Sequence, residues 1–403
     1  MDNLTHSLVG AALAQATLRD GATKPQRRLF LAAGVLAANL PDIDLMYVGI
    51  TTPPPLGYLL HHRGHTHTVV GLITQGLLLA LVCGLVPPVR RLVAGDRARV
   101  GGLIAAGLLS HILLDAGNSY GVHPFHPVDA RWYYGDAVFI LEPWLWVFLG
   151  VPIAWNAAGR LTRLSLLAVV ALLPVALARV GVILGATVAV VVLTSIVLAW
   201  CARPLSSRAR AAVALALSTV FVTGLFGLSA VARERTRALV EPRVRGEIVD
   251  VVLSPNPADP LCWMAIAVEK HEAAGEYVFH RGTLSLAPDW RPPTDCASHR
   301  FTRGSAERAG GSRPAWDDPI REPLDRLRGL SERDCRVRAW LQFGRAPAFR
   351  DGQIFDLRFD DGTGSNFTAM KLRPDAQPAG CPPFLTSWAM PRADLLSPAS
   401  TSR

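Results

Sequence analysis

Eight of the eleven histidines fall within the first 126 residues, and none lies between 127 and 270. They occur with aspartates in five short pieces: 3–7 with His6, 39–44 with Asp42 and Asp44, 61–67 with His61, His62, His65 and His67, 110–115 with His111 and Asp115, and 118–126 with His123 and His126. Imidazole with carboxylate is the ligand set of zinc, and it also suits manganese or iron. His111 and Asp115 are four apart, so on a helix they share a face. His61 and His65 have the same separation. His61, His62, His65 and His67 cannot all bind one ion, and the pair His62 and His67, coming together where a helix starts, is preferred. Paired carboxylates such as Asp42 and Asp44 can bridge two ions. A divalent ion held this way acidifies bound water to a pKa of about 7 and polarises a phosphoryl or acyl oxygen.

Other side chains are candidates for supporting roles. Arg63 could hold a phosphate, since a guanidinium matches phosphate oxygens in bidentate fashion. Asp136 and Glu142 flank the start of an apolar run, where Glu142 could be a further ligand or the general base. Asn39, Thr66 and Ser110 could hydrogen-bond the ligands. His123 and His126 flank prolines in a loop, and either could ligate.

These pieces must be positioned by membrane helices. Half of the 403 residues are hydrophobic and 18% are charged, which excludes a disordered chain and argues against an ordinary soluble enzyme. Apolar stretches near 29–48, 69–86, 100–117, 138–156, 164–178, 180–200 and 211–230 approach the length of about 20 residues that a crossing needs. The stretch 4–18 is short and is expected to half-enter the bilayer; no Lys or Arg precedes it as in a signal peptide. The expectation is an α-helical integral membrane domain over 1–232, with about seven to eight membrane helices, and a small β-rich soluble domain over 233–403.

Charge gives the direction. The net charge is +9. Segments 19–28, 90–99, 160–163 and 203–210 carry thirteen Lys and Arg, whereas the alternate loops supply only Arg63, Arg131 and Arg179. By the positive-inside rule the first set is cytoplasmic, and the last span delivers the tail outside. All five histidine and aspartate pieces then lie on the outer face. The basic residues are dispersed at span ends with no aromatic-interleaved groove, so no nucleic-acid partner is expected.

The tail supplies short alternating runs at 247–253, 263–269, 277–286, 336–343 and 353–359, expected as strands. The stretch 302–334 is expected to be a long loop. Cys262, Cys296, Cys335 and Cys381 form an even set suited to disulfides in an exported domain, with three pairings open. Cys83 and Cys201 are expected to be buried small residues.

Thr5-His6, Asn39 to Asp44, His62 to His67, Ser110 to Asp115 and Asn118 to Gly121 together resemble the YdjM-like family of inner-membrane proteins, regarded as LexA-regulated metal-dependent hydrolases. The motifs cover roughly the first 145 residues. The order of histidines and aspartates is also similar to zinc-dependent phospholipase C and the single-strand-specific zinc nucleases. That likeness implies His6, Asp42 or Asp44, one of His61–His67, His111, Asp115 and His126 as ligands. Those enzymes carry a second His-x-x-x-Asp helix, which this sequence lacks, so one or two ions, most readily zinc, are expected. Their N-terminal amine ligand follows from leader cleavage and is not counted here.

The resulting expectation is a multi-pass protein of the bacterial inner membrane. It would hydrolyse a phosphoester of an amphipathic or lipid-linked substrate at the outer face of the bilayer. The alternative is a non-catalytic metal-binding or transport membrane protein; transport would call for polar residues near mid-span.

Overall fold

The computed structural model describes residues 1–157, 159–183, 185–296, 315–360, 366–373, 381 and 383–397. The helical region begins with α1 (Asn3–Thr17) and α2 (Lys24–Asn39). Asp2 caps α1 by accepting the Thr5 backbone N–H, and Thr23 with Gln26 forms a capping box at α2. At Pro41 the chain tightens into a 3-10 turn, Leu40–Met46, which carries Asp42 and Asp44. Short helices α3 (Val48–Thr51) and α4 (Leu56–His61) and a 3-10 turn, His65–His67, lead into α5 (Val69–Leu85). Thr68 caps α5 through the Gly71 N–H. Then come α6 (Pro87–Val93), α7 (Arg97–Ala116), α8 (Pro143–Ala154), α9 (Arg160–Arg179), α10 (Gly185–Ala202) and α11 (Ser207–Val240).

Among the described residues, five helical segments are long and apolar enough to cross a membrane: 24–51, 97–116, 160–179, 185–202 and 207–243. The bent pair 56–67 and 69–85, with 64° between its parts, makes a sixth if taken as one span. This is fewer than the seven to eight expected. The run 138–156 forms only the twelve residues of α8, because Glu142 and Pro143 start the helix late. The run 4–18 forms the fifteen residues of α1. Both α1 and α8 pack in the interior: Leu8, Val9 and Ala12 share a cluster with Leu145, Trp146 and Leu149. By contrast α5 exposes Val70, Ile73, Leu77 and Leu81, and only 11% of the apolar windows of α9 and α10 is buried. Such surfaces are stable against hydrocarbon rather than water.

Two close crossings fix α1 and α7 against α2. A Cβ at Gly10 would lie 2.3 Å from the Gly34 carbonyl oxygen, and one at Gly107 would lie 3.0 Å from the Ala37 Cβ. Each glycine stands four residues from a histidine, His6 and His111, so the crossings set the height of both rings along one helix face.

The helix α11 continues unbroken through residues 232 and 233, and at about 1.5 Å per residue its 34 residues span roughly 51 Å. It hands the chain to an antiparallel sheet of β1 (Glu247–Asn256), β2 (Asp259–His271) and β3 (Glu276–Ser285). The short strands β4 (Ala315–Trp316) and β5 (Ile320–Pro323) both pair with β3. Strands β6 (Pro347–Arg350), β7 (Gln353–Asp356) and β8 (Met370–Lys371) form a second sheet.

The larger sheet is buried on both faces. Val251, Leu253, Trp263, Ala265 and Ala267 pack with Ala232 and Val240 of α11. The alternate residues Val252, Met264, Ile266 and Val268 join a core with Leu56, Leu59, Leu60, Tyr120 and Trp132 of the helical region. Each large side chain in that core contributes about 1.5–3 kcal/mol.

Two tail expectations are corrected. Residues 336–343 form not a strand but all except the first residue of α13 (Cys335–Trp340) and a following turn; Asp334 accepts the Arg336 N–H and caps the helix. The stretch 302–334 is not all loop. Its first part lies outside the described residues, but β4, β5 and α12 (Leu324–Arg333) occupy the rest, with Leu324 and Leu327 of α12 buried in the core. The four tail cysteines pair as Cys262–Cys296 and Cys335–Cys381. Cys83 is half-buried and Cys201 is exposed rather than buried, both on apolar helices where lipid can cover them.

Candidate metal centre

Four of the five sequence pieces bring candidate ligands together at one end of the helical region, and the fifth reaches it through Asn118 and Tyr120. His6 comes from the first turns of α1, Asp42 and Asp44 from the 3-10 turn after α2, His62 and His67 from the segment before α5, and His111 and Asp115 from the last turns of α7. Asp42, His67, His111 and Asp115 each present one ligand atom, all within 4.8 Å of one another, and so do Asp42, Asp44 and His62. His6, Asp44, His67 and His111 are completely buried, and Asp115 nearly so.

The hydrogen bonds decide which ring atoms face inward. His111 Nδ1 donates to the Ala38 carbonyl at 2.7 Å. A carbonyl only accepts, so a neutral His111 turns a bare Nε2 to the centre. Thr66 Oγ1 donates to Asp44 Oδ2 at 2.9 Å, so its contact with His67 Nδ1 at 3.0 Å is donated by the ring. A neutral His67 then also presents a bare Nε2. The two Nε2 atoms stand 3.1 Å apart. Both lie 3.5 Å from Asp42 Oδ1, and 3.3 and 3.5 Å from Asp115 Oδ2. Lone pairs and carboxylate oxygens converging in a buried space repel one another unless a cation joins them. Both His6 nitrogens and Asp115 Oδ2 are buried without a hydrogen-bond partner, and His6 Nε2 is 3.4 Å from Asp115 Oδ1. The His6 ring stacks on His111 with centroids 3.8 Å apart. This donor set fits a divalent metal ion.

Asp44 sits behind this centre. Its oxygens accept His62 Nδ1 at 3.0 Å, the Arg63 N–H at 2.9 Å and Thr66 Oγ1 at 2.9 Å, and lie 3.2 Å from His67 Nδ1. A carboxylate so occupied orients two imidazoles. Arg63 takes a left-handed backbone, φ 57°, which costs a non-glycine residue about 1–2 kcal/mol. The turn carries its buried guanidinium inward, to 3.1 Å from Asp115 Oδ2 and 2.9 Å from Asn118 Oδ1. The Met1 α-amine also contacts Asp115, a group that the sequence reading set aside.

Several expected residues lie elsewhere. His61 is directed to Thr52, 3.3 Å away. His65 and His126 pack together at 5.4 Å and against Trp388, with His123 also stacked on that indole. None of these joins a group of metal-ligating atoms among the described residues. Asp136 is bound by Arg233 and Arg345, each at 2.9 Å, and so ties α11 and the tail to the loop before α8. Glu142 caps α8 through Trp144 N–H and also accepts Ala258 N–H. Both carboxylates are therefore structural ties, because cationic or backbone donors from the tail reach them first. Of the supporting residues, Thr66 reaches a member of the group. Asn39 bonds Ser7 and Val35, and Ser110 bonds Gly107.

Two tyrosines wall the centre: Tyr120, which lies in the 118–121 motif though no role was expected of it, and Tyr58, which no motif singled out. Tyr58 packs on His62 at 4.8 Å, and the Arg63 guanidinium lies 4.8 Å over Tyr120. The only signal was the Asn118–Gly121 stretch beside His111 and Asp115.

No curated protein and no solved structure matches the chain. The family model described as YdjM inner membrane protein matches residues 1–183. Every member of the buried group falls within this matched stretch, so the part of the chain that supplies them is similar to the YdjM inner membrane proteins.

Proposed function

We propose that this protein is a membrane-embedded, metal-dependent hydrolase that acts on the phosphoester of an amphipathic substrate at the outer face of the inner membrane. The observation that carries this reading is the convergence of the His67 and His111 Nε2 atoms with Asp42 and Asp115 in one buried group. The divalent ion, most readily zinc in one or two copies, would supply an activated water and charge neutralisation at a phosphoryl oxygen. His67, His111, Asp42 and Asp115 would hold it, with His6 and His62 at its edge. Asp44 keeps the His62 and His67 rings turned inward. Arg63 offers the positive charge that a phosphoryl group meets in the transition state, and its fixed turn holds it there. The thirteen-to-three charge bias supports an extracytoplasmic tail and outward-facing site.

One observation favours the non-catalytic reading. His6, His67 and His111 expose no surface, as in a closed metal-binding site. Metal content of detergent-purified protein, wild type against His111→Ala and Asp115→Ala, tests the site, and turnover of phosphodiesters and phospholipids separates the readings. Equal, negligible metal in all three proteins would end the metal-dependent reading. Bound metal without turnover of any phosphoester or amide would favour the binding protein.

A further inference from the structure

A cavity of about 320 Å³ lies between the helical region and the tail, next to the buried group. That volume is within the range of about 300–1,000 Å³ seen for small-molecule sites. One wall is Val138–Ile140 with Tyr58 and Tyr120; the other is Ser254–Asn256 and Met264 of the sheet, with Phe359 and Phe367. Tyr58 and Tyr120 are the same rings that pack on His62 and under Arg63, so the cavity and the metal centre share a wall.

The lining is mostly apolar, and three of its polar atoms are unsatisfied among the described residues. Asn118 and Tyr120 are more than nine-tenths buried, and among the described residues Asn118 Nδ2 and the Tyr120 hydroxyl have no hydrogen-bond partner. Asn366 Nδ2 is likewise without one. Leaving buried donors unpaired costs about 1–3 kcal/mol each, so such atoms in an apolar cleft point to a ligand with acceptor oxygens. Ile140 and Phe367 in the lining are 44% and 46% exposed, which gives the cavity an apolar edge. An entrance of that kind admits hydrocarbon more readily than a free ion.

We propose that this cavity is the substrate subsite for the apolar chain of a lipid phosphate, with Asn118, Tyr120 and Asn366 donating to the oxygens that link the chain to its phosphate. The inference rests on the hydrolase reading for the role of the neighbouring centre, and it assigns the tail half of the substrate site. A tail strand therefore sets substrate preference, although every metal-ligating candidate comes from the helical region.

The test uses the full chain in phosphatidylcholine nanodiscs with a diazirine-bearing alkyl phosphate as photoprobe. Adducts are expected in peptides containing 138–140 and 254–264. Long-chain alkyl phosphate should compete and inorganic phosphate should not. Ser254 lies on the sheet face that lines the cavity, and Ser254→Phe should reduce labelling there about tenfold by filling the space. Asn366→Asp keeps the acceptor used by Thr368 but replaces the donor with a charge, and should reduce labelling without relying on added bulk. Labelling confined to α5, α9 and α10, or unchanged in both variants, overturns the proposal, as does equal competition by inorganic phosphate. Metal content measured on the same samples separates the two readings: metal-loaded protein without cavity labelling sinks the subsite alone, and labelled protein without metal sinks the hydrolase alone.

Discussion

Two sets of histidines lie close in sequence and differ in surroundings. His6, His62, His67 and His111 face Asp42, Asp44 and Asp115. His65, His123 and His126 face one another and Trp388, whose Nε1 donates to the Leu60 carbonyl. In the first set Asp44 holds the Nδ1 of His62 and His67, the Ala38 carbonyl holds that of His111, and carboxylates crowd the Nε2 of His6, His67 and His111, which creates a demand for a cation. In the second set the rings pack on an indole, as aromatic side chains do at the seam between tail and helices. Residue type and spacing are alike in the two sets; carboxylate company is what differs, and it comes from α7 and the turn after α2.

The sharpest way to break this contrast is at Asp115. Asp115→Ala should lower metal affinity by more than the roughly 10–100-fold that changes behind a metal centre produce, read as metal content after dialysis. Asp44→Asn should fall within that roughly 10–100-fold range. It leaves the His67 and His111 Nε2 atoms in place and removes the charge and one of the two acceptor oxygens that orient the rings. An Asp44 effect equal to that of Asp115 would show that Asp44 is itself a ligand. At the crossings with α2, Gly10→Ala and Gly107→Ala should each cost about 1–3 kcal/mol of stability through overpacking. Thermal unfolding measures this, and unchanged melting would mean that the crossings are looser than 2.3 and 3.0 Å imply. His65→Ala or His126→Ala should leave metal content unchanged and cost about 0.5–1.5 kcal/mol from lost packing on Trp388. Loss of metal in either variant would join the two sets into one site.

The smallest expected effect concerns a third way of holding a buried carboxylate. Burial pushes the Asp250 carboxyl up, but Arg345, Arg392 and Arg233 outweigh it and hold it well below the usual range. A carboxyl lowered by folding stabilises the fold above its unfolded pKa of about 3.9 and loses that contribution as pH falls through the folded value. Wild type should therefore lose stability in acid more steeply than Asp250→Asn, as followed by unfolding midpoints across the acid range. Equal slopes would assign that sensitivity to other groups.

Much of the helical region was legible. Apolar run length located α5, α7, α9, α10 and α11, and the i, i+4 relation of His111 and Asp115 put them on one face. The spans at 4–18 and 138–156 were not legible as short interior helices, because an apolar run looks the same whether lipid or protein covers it. In the tail, β1 to β3 followed from alternation, whereas α13 did not. Val337, Ala339 and Leu341 alternate with Arg336, Arg338 and Trp340 on paper, but the Asp334 cap makes a helix that buries Val337, Ala339 and Trp340.

By itself the sequence determined an apolar helical region, a strand-bearing tail with four cysteines, and a chemistry of imidazole and carboxylate gathered on one face. Composition and charge fix these, since they report solvent and ligand preference residue by residue. Only the tertiary structure decided that His67 and His111 share a centre, that Asp44 stands behind it, and that His61, His65 and His126 turn away. Those outcomes depend on the Gly10 and Gly107 crossings and on which carboxylate or carbonyl reaches each Nδ1 first, and such distances arise between segments that no local spacing connects.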